Sequence, residues 1–309
     1  MKTVDVIIPT SKPGSEFQNL LKRLADQTYP ISNIIIINTE KSFWDAMADA
    51  DKIEKQYANV IVRHITKQEF DHAKTRQMAV GLSQADIFVM MTMDALPKDN
   101  RLIEELVCGL SVENVAVCYA RQMAKDDAQL IEAYTRAHNY PSQDRLKTKA
   151  DLKELGIKTY FCSDVCAAYH RRLFEELGGY VESAIFNEDM LYAAKAIEKG
   201  YGVYYAAKAE VYHSHNYSGM QQLKRNFDLG VSQAMHPEVF ESVPSESAGI
   251  AMVKKTAGYV CQCKKPWLII KLVWQSGCKY IGYRLGKMYK KLPRKIIMMC
   301  TSSPGYWMK

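Results

Sequence analysis

Over the first 120 residues, apolar side chains fall at consecutive rather than alternate positions in short runs, and stretches of helical spacing separate the runs. Val4–Pro9 reads as a buried strand, Ser15–Gln27 as a helix, and Asn33–Asn38, with four successive isoleucines, as a second strand. Phe43–Tyr57 reads as helical, Val60–His64 as extended and His72–Leu82 as helical. Ile87–Met91 reads as a fourth strand, Asn100–Leu110 as a helix and Val115–Tyr119 as a strand. Strands apolar on both faces need cover on both faces, and strands that alternate with helices run parallel. Right-handed crossovers then give an α/β fold, a doubly wound, mostly parallel sheet flanked by helices. Its ligands belong at the carboxyl ends of the strands.

After Arg121 the sequence turns polar and irregular up to about Gly156, as expected of a loop-and-helix region that frames an acceptor site. Structure resumes over Tyr160–Tyr169, then a helix Arg171–Leu177 stops at Gly178-Gly179. A helix Glu188–Lys199, strands Val203–Tyr205 and Ala209–Tyr212, and a helix near Met220–Gly230 follow. Residues 237–249 read as a linker. The expected division is a domain over 1–240, with halves 1–120 and 121–240, and a tail over 241–309. Ordinary composition, with 48% hydrophobic and 24% charged residues, excludes a disordered or collagen-like chain. No apolar run reaches the ~18 residues of a spanning helix, and Asp5 interrupts the first one, which is too short for a signal peptide. The chain is therefore expected in the cytosol, its eight cysteines mostly reduced.

The first strand is followed by PTSKPGSE, which is neither a dinucleotide nor a P-loop fingerprint. Asp94 follows the fourth strand in T-M-D-A-L-P, where a carboxylate suits Mg²⁺ or Mn²⁺ with a diphosphate, or merely caps a turn. Glu188 and Asp189 open a helix, as caps or as a general base. His213 and His215 have the period-two spacing that puts both imidazoles on one face. Cys162-x3-Cys166 and Cys261-x-Cys263 lack matched second pairs for zinc. Arg76 clamps phosphate or decorates a helix.

The order of these elements decides. IIPT, F-D-H-x-x-T-R (70–76), T-M-D-A-x-P, N-E-D-M-L (187–191) and V-Y-H-S-H-N-Y-S (211–218) together resemble the family 2 glycosyltransferases. The closest likeness is to the rhamnosyltransferase branch, and it covers about residues 3–230. The resemblance implies a GT-A fold that binds a nucleotide-diphosphate sugar and Mn²⁺ or Mg²⁺. By position, Asp94 is the surviving acid of a D-x-D element and contacts metal and diphosphate, with Thr92 and Met93 beside it at the donor. Asp189 becomes the catalytic base and Glu188 its neighbour that orients acceptor or base. One of His213 and His215 completes the metal or diphosphate shell. Pro9 and Thr10 line the nucleotide pocket, Asn38, Thr39 and Glu40 stand at base and ribose, and His72 and Arg76 lie near the donor. A single base opposite the leaving diphosphate implies inversion, and a dTDP-L-rhamnose donor implies an α-L-rhamnoside product.

Departures are visible. Thr92 replaces the first D-x-D acid, so a weaker metal site or one reliant on histidine is expected. NTEKSFWD replaces D-x-G-S-T-D at the base site. Gln222-Leu223-Lys224-Arg225 is similar to the Q-x-x-R-W of processive synthases, which adds Arg225 to the donor residues, but Asn226 replaces the Trp. A non-processive enzyme is expected.

Residues 254–309 hold 13 Lys and Arg and no Asp or Glu, which leaves 28 bases against 34 acids in the rest. Aromatics interleave with the bases over 264–295, so a basic amphipathic helical tail adsorbed to an anionic cytoplasmic leaflet is expected. Gly277, Gly282 and Gly286 are expected to weaken a long helix there. The rivals are packing or homo-oligomer contact, and nucleic-acid binding, which no motif supports. A polyprenyl-linked saccharide acceptor in surface polysaccharide synthesis would explain the tail. The competing functions are a non-catalytic membrane-bound subunit of the same fold and a nucleotidyltransferase, which lacks its Gly-rich first loop here.

Overall fold

The four apolar runs that precede Thr92 form β1 (Val4–Ser11), β2 (Asn33–Thr39), β3 (Val60–Ile65) and β4 (Ile87–Met91). Between them lie α1 (Ser15–Ala25), α2 (Lys41–Asp45), α3 (Ala50–Gln56) and α4 (His72–Val80). The computed structural model describes residues 1–48, 50–241 and 246–308. Position 49, within the expected helix 43–57, and positions 242–245, within the expected linker, lie outside the described residues.

These strands pair in parallel in the order β3-β2-β1-β4. Consecutive apolar residues are needed because alternate side chains enter different cores. Val6, Ile8, Ile34, Ile36 and Val89 pack with Phe17, Leu20 and Leu24 of α1. Ile7, Ile35, Ile37, Phe88 and Met90 pack on the other face with Ala73 and Ala79 of α4 and with Phe174. Each such burial contributes about 1.5–3 kcal/mol for a side chain of this size.

The chain continues as β5 (Leu96–Pro97), α5 (Leu102–Leu110), β6 (Val115–Met123), α6 (Leu130–Asn139), β7 (Arg145–Lys147) and α7 (Leu152–Leu155). Then come β8 (Cys166–His170), α8 (Arg171–Glu176), α9 (Glu188–Glu198) and β9 (Gly202–Tyr212). β8 lies antiparallel between β4 and β6, and β9 runs parallel to β6. The described strands form one sheet, β3-β2-β1-β4-β8-β6-β9-β5, with β7 on β9. Because β4 and β6 both oppose β8, strands β1–β4, β6 and β9 share one direction, and the sheet is the expected mostly parallel one.

Two local readings differ from the structure, at the end of β6 and in β9. The expected strand 115–119 runs four residues further, as β6 to Met123, so the stretch after Arg121 begins with two residues of sheet before the helix α6. Structure does resume within Tyr160–Tyr169, as β8 from Cys166, after a 3₁₀ turn at Gly156–Tyr160. The two short strands over 203–212 are one strand, β9, whose pairing with β6 skips from Ala120↔Ala206 to Arg121↔Glu210. Asp144 accepts the Ala207 amide at 2.7 Å, so the bulge leaves no orphan there.

The remainder is helical: α10 (Gly219–Met235), α11 (Pro237–Phe240), α12 (Glu246–Gln262), α13 (Leu268–Lys287) and α14 (Arg294–Cys300). Ser218 and Gln221 form a capping box that starts α10. Helix α13 is uninterrupted over 20 residues, contrary to the expectation from its glycines. Two of those glycines are where α10 crosses it. A Cβ on Gly282 would overlap the Leu223 carbonyl, one on Gly286 the Phe227 carbonyl, and one on Gly230 the Tyr283 carbonyl. The absence of side chains lets the two backbones touch. Helix α13 also exposes Ile270, Val273, Trp274 and Ile281, with Trp267 exposed just before it, and the Trp274 indole lies beside Gly219 at the start of α10. No helix among the described residues is long and apolar enough to cross a membrane.

Candidate active site

A cavity of about 430 Å³ opens where β4, β6 and β9 end and where β8, α4 and α9 begin. Asp94, His213 and His215 line it together with Glu188 and Asp189, so the carboxylates expected to act together do share one crevice. Thr92, His72, Arg76 and Arg225 also line it.

Asp94 follows β4, and the histidines follow β9. The ligating atoms of Asp94, His213 and His215 lie within 4.8 Å of one another. His215 Nε2 is 3.1 Å from Asp94 Oδ2, and His213 Nε2 is 3.6 Å from it. Burial opposes charge on Asp94, but the His215 hydrogen bond and the neighbouring His213 hold its carboxyl well below the usual range. Burial pushes His213 down to about 3, so its ring is neutral. Arg136 donates to Gln122 Oε1, which fixes the orientation of that amide. His213 Nδ1 lies 2.9 Å from the same oxygen and therefore carries the hydrogen, which leaves Nε2 as a bare lone pair. That Nε2 stands 3.1 Å from His215 Nε2. Two imidazole nitrogens and a carboxylate oxygen converging in this way suit a divalent cation, with Gln122 as the outer support that aims His213.

The same cavity holds a second charge cluster. Asn187, in the left-handed region at φ 67°, turns the chain so that Glu188 and Asp189 open α9. Arg76 Nη1 lies 3.0 Å from Glu188 Oε1 and Arg76 Nε lies 3.3 Å from Asp164 Oδ2, all three side chains buried. Tyr169 and Tyr180 donate to Asp164 at 2.5 and 2.8 Å. Asp189 accepts the Asp164 and Met190 amides at 3.0 and 2.7 Å. Burial pushes Asp164 up to about 6, and burial with the nearby Asp164 and Glu188 charges raises Asp189 well above an ordinary aspartate. A carboxylate so raised is suited to take a proton near neutral pH. Arg76 is thus held by Glu188 and Asp164. Arg225 instead lies over the rings of Phe186 and Tyr217, 4.9 and 5.5 Å from their centres, and makes no ion pair among the described residues.

A second cavity, of about 420 Å³, adjoins the first at His72. Ser11 and Thr39, at the carboxyl ends of β1 and β2, and Lys67 and Phe70, beyond that of β3, line it together with residues near 301–308. Pro9, Thr10, Asn38, Glu40 and Met93 line neither cavity. Thr10 Oγ1 donates to Asn38 Oδ1 at 3.2 Å, and the Asn38 amide donates to the Glu40 carbonyl at 3.0 Å, so they brace the strand ends. Glu40, at φ 67°, accepts the Lys67 amide at 2.6 Å. The Asp71 carboxylate caps α4 by accepting from Ala73 and Lys74, and also receives Ser183. Sequence reading missed Asp164, Gln122 and Arg136. The first left one signal, an acid set between two buried cysteines in C-S-D-V-C, and the last another, the Glu132/Arg136 spacing of one helical turn.

The family model for "Glycosyl transferase family 2" matches residues 5–178. The O-antigen chain rhamnosyltransferase RfbN of Salmonella typhimurium (strain LT2) is 34% identical over 307 residues, 98% of this chain and 96% of that one. The O-antigen chain rhamnosyltransferase WbaN of Salmonella anatum is 33% identical over 310 residues, 99% and 96% of the two chains. Among solved structures, the mannosyltransferase PcManGT from Pyrobaculum calidifontis, in complex with GDP-Man and Mn²⁺, aligns with a TM-score of 0.58 at 15% identity. That alignment covers 100% of this chain and 86% of the other. TarS of S. aureus aligns at 0.52 and 14% identity, over 94% and 91% of the two chains, and has also been solved with UDP-GlcNAc. These two share the fold. With the matched domain, the rhamnosyltransferase relatives along nearly its whole length, and this crevice, the chain belongs to the family 2 glycosyltransferases.

Proposed function

We propose that this enzyme is an inverting, metal-dependent, non-processive rhamnosyltransferase. The observation that carries the reading is the one cavity that the Asp94/His213/His215 cluster and Asp189 both line. Asp94, His213 and His215 would hold Mn²⁺ or Mg²⁺, which when bound offsets the negative charge of a departing nucleoside diphosphate. Arg225 adds positive charge on the same side. Asp189 takes the proton from the acceptor hydroxyl as the oxygen bonds to the anomeric carbon and the bond to the diphosphate breaks. One displacement inverts the anomeric centre, so a β-linked dTDP-L-rhamnose yields an α-L-rhamnoside. Glu188 and Arg76 hold Asp189 and its surroundings in place.

The acceptor we favour is a polyprenyl-linked saccharide in surface polysaccharide assembly. The exposed apolar residues of α13, flanked by the bases of the 254–309 region, support peripheral attachment to the inner face of the cell membrane.

The test is turnover of dTDP-L-rhamnose with Mn²⁺ and a polyprenyl-diphosphate-linked saccharide, with the product read by NMR. An α-L-rhamnoside is expected. A β-anomer would overturn inversion, and no turnover of any nucleotide sugar would overturn the enzyme assignment.

A further inference from the structure

The second cavity has one wall with no role in the reading above. Its inner side is made by the carboxyl ends of three adjacent parallel strands, where an open α/β sheet takes its ligand. Its outer side is made by Ser302–Tyr306 and Met308, from the region beyond α14. That segment returns across the molecule and is fastened there. Asp228, fully buried on α10, accepts the Thr301 hydroxyl at 2.6 Å and the Ser302 amide at 2.9 Å, and also the Ser302 hydroxyl. Trp307 Nε1 donates to Thr301 Oγ1 at 3.3 Å, and Arg294 donates to the Trp307 carbonyl at 3.1 Å. A carboxylate buried only to receive three donors from one loop makes that loop part of the fold.

The geometry points to segment 301–308, with Tyr306 at its centre, as the outer wall of the nucleoside subsite of the donor. The inference rests on the donor reading above and adds a specificity element to it. His72 lines both cavities, so a ligand that occupies both must be elongated and must pass His72. A nucleoside diphosphate sugar has that form, with its sugar beside Asp189 and its base in the second cavity. Phe70 from the strand side and Tyr306 from the segment supply flat apolar surface, on which a base stacks whatever its hydrogen-bonding pattern. Gly305 brings the segment against the strand side, where a Cβ would meet the Lys67 carbonyl at 3.4 Å, an ordinary contact distance.

Calorimetric titration of the full chain with dTDP, UDP, GDP and inorganic pyrophosphate, each with Mn²⁺, tests this. Tyr306→Ala should weaken dTDP about tenfold, Tyr306→Phe should retain wild-type affinity, and neither should change pyrophosphate binding. Ser303→Trp, which fills the cavity, should reproduce the loss and serves if Tyr306→Ala does not fold. Unchanged dTDP affinity in both Tyr306→Ala and Ser303→Trp overturns the inference and leaves the glycosyltransferase reading intact. Equal loss of dTDP and pyrophosphate also overturns it, since the wall would then act only on the fold. Failure of the wild-type chain to bind any of the three nucleotides overturns the donor reading and this inference with it.

Discussion

Charge is used in opposite ways in the crevice and in the tail over 254–309. In the crevice Arg76, Asp164 and Glu188 are almost out of contact with water and are held at hydrogen-bond distance. On the tail, Lys264, Lys265, Lys290, Lys291 and Arg294 are exposed, and the last 56 residues contain no acid. Buried charges interact strongly because little water screens them, whereas exposed ones are screened and act by number. The contrast teaches that a single substitution should be severe in the first region and slight in the second.

The largest expected effect is on turnover. Asp189→Asn should lower kcat by about two to four orders of magnitude, with donor binding kept, as measured in steady-state assays. In the wild type, the base works only when ionised. Because its folded value lies above the ordinary aspartate value of 3.8, activity should be full at high pH and fall on an acid limb well above pH 4. Next is stability. Arg76→Ala leaves Glu188 and Asp164 buried without their cation and should cost about 3–5 kcal/mol in chemical denaturation. Then comes the seam between the two regions. Gly286→Ala forces α13 away from the Phe227 carbonyl and should cost about 1–3 kcal/mol, with a matching fall in Tm. The smallest effect belongs to the tail. Each exposed lysine changed to alanine, Lys264 or Lys265 for example, should weaken binding to anionic vesicles by about 1 kcal/mol and leave Tm unchanged. A tail lysine as costly as Arg76 would break the contrast, and additive losses over several lysines would sharpen it.

Strands β1 to β4 were legible because consecutive apolar residues admit few alternatives to a sheet covered on both faces. Asp94, His213, His215, Glu188 and Asp189 were legible through their order along the chain. Asp164 and Gln122 were not, since their importance comes from approach in space: one anchors Arg76 and Asp189, the other aims His213. Bulges and backbone crossings escape local reading for the same reason. The bulge at Ala207–Ala209 is a shift against a neighbouring strand, and Gly282 and Gly286 answer to carbonyls about sixty residues earlier. Spacing alone describes a residue's own element, and these residues serve another.

Helix α10 meets three neighbours within two turns. Arg225 opens on the crevice, Asp228 fastens the returning segment, and Gly230 seats α13. One rod with three clients has little freedom to drift. In diverging descendants these positions should be exchanged together or not at all, so their co-inheritance would mark the lineages that kept this architecture.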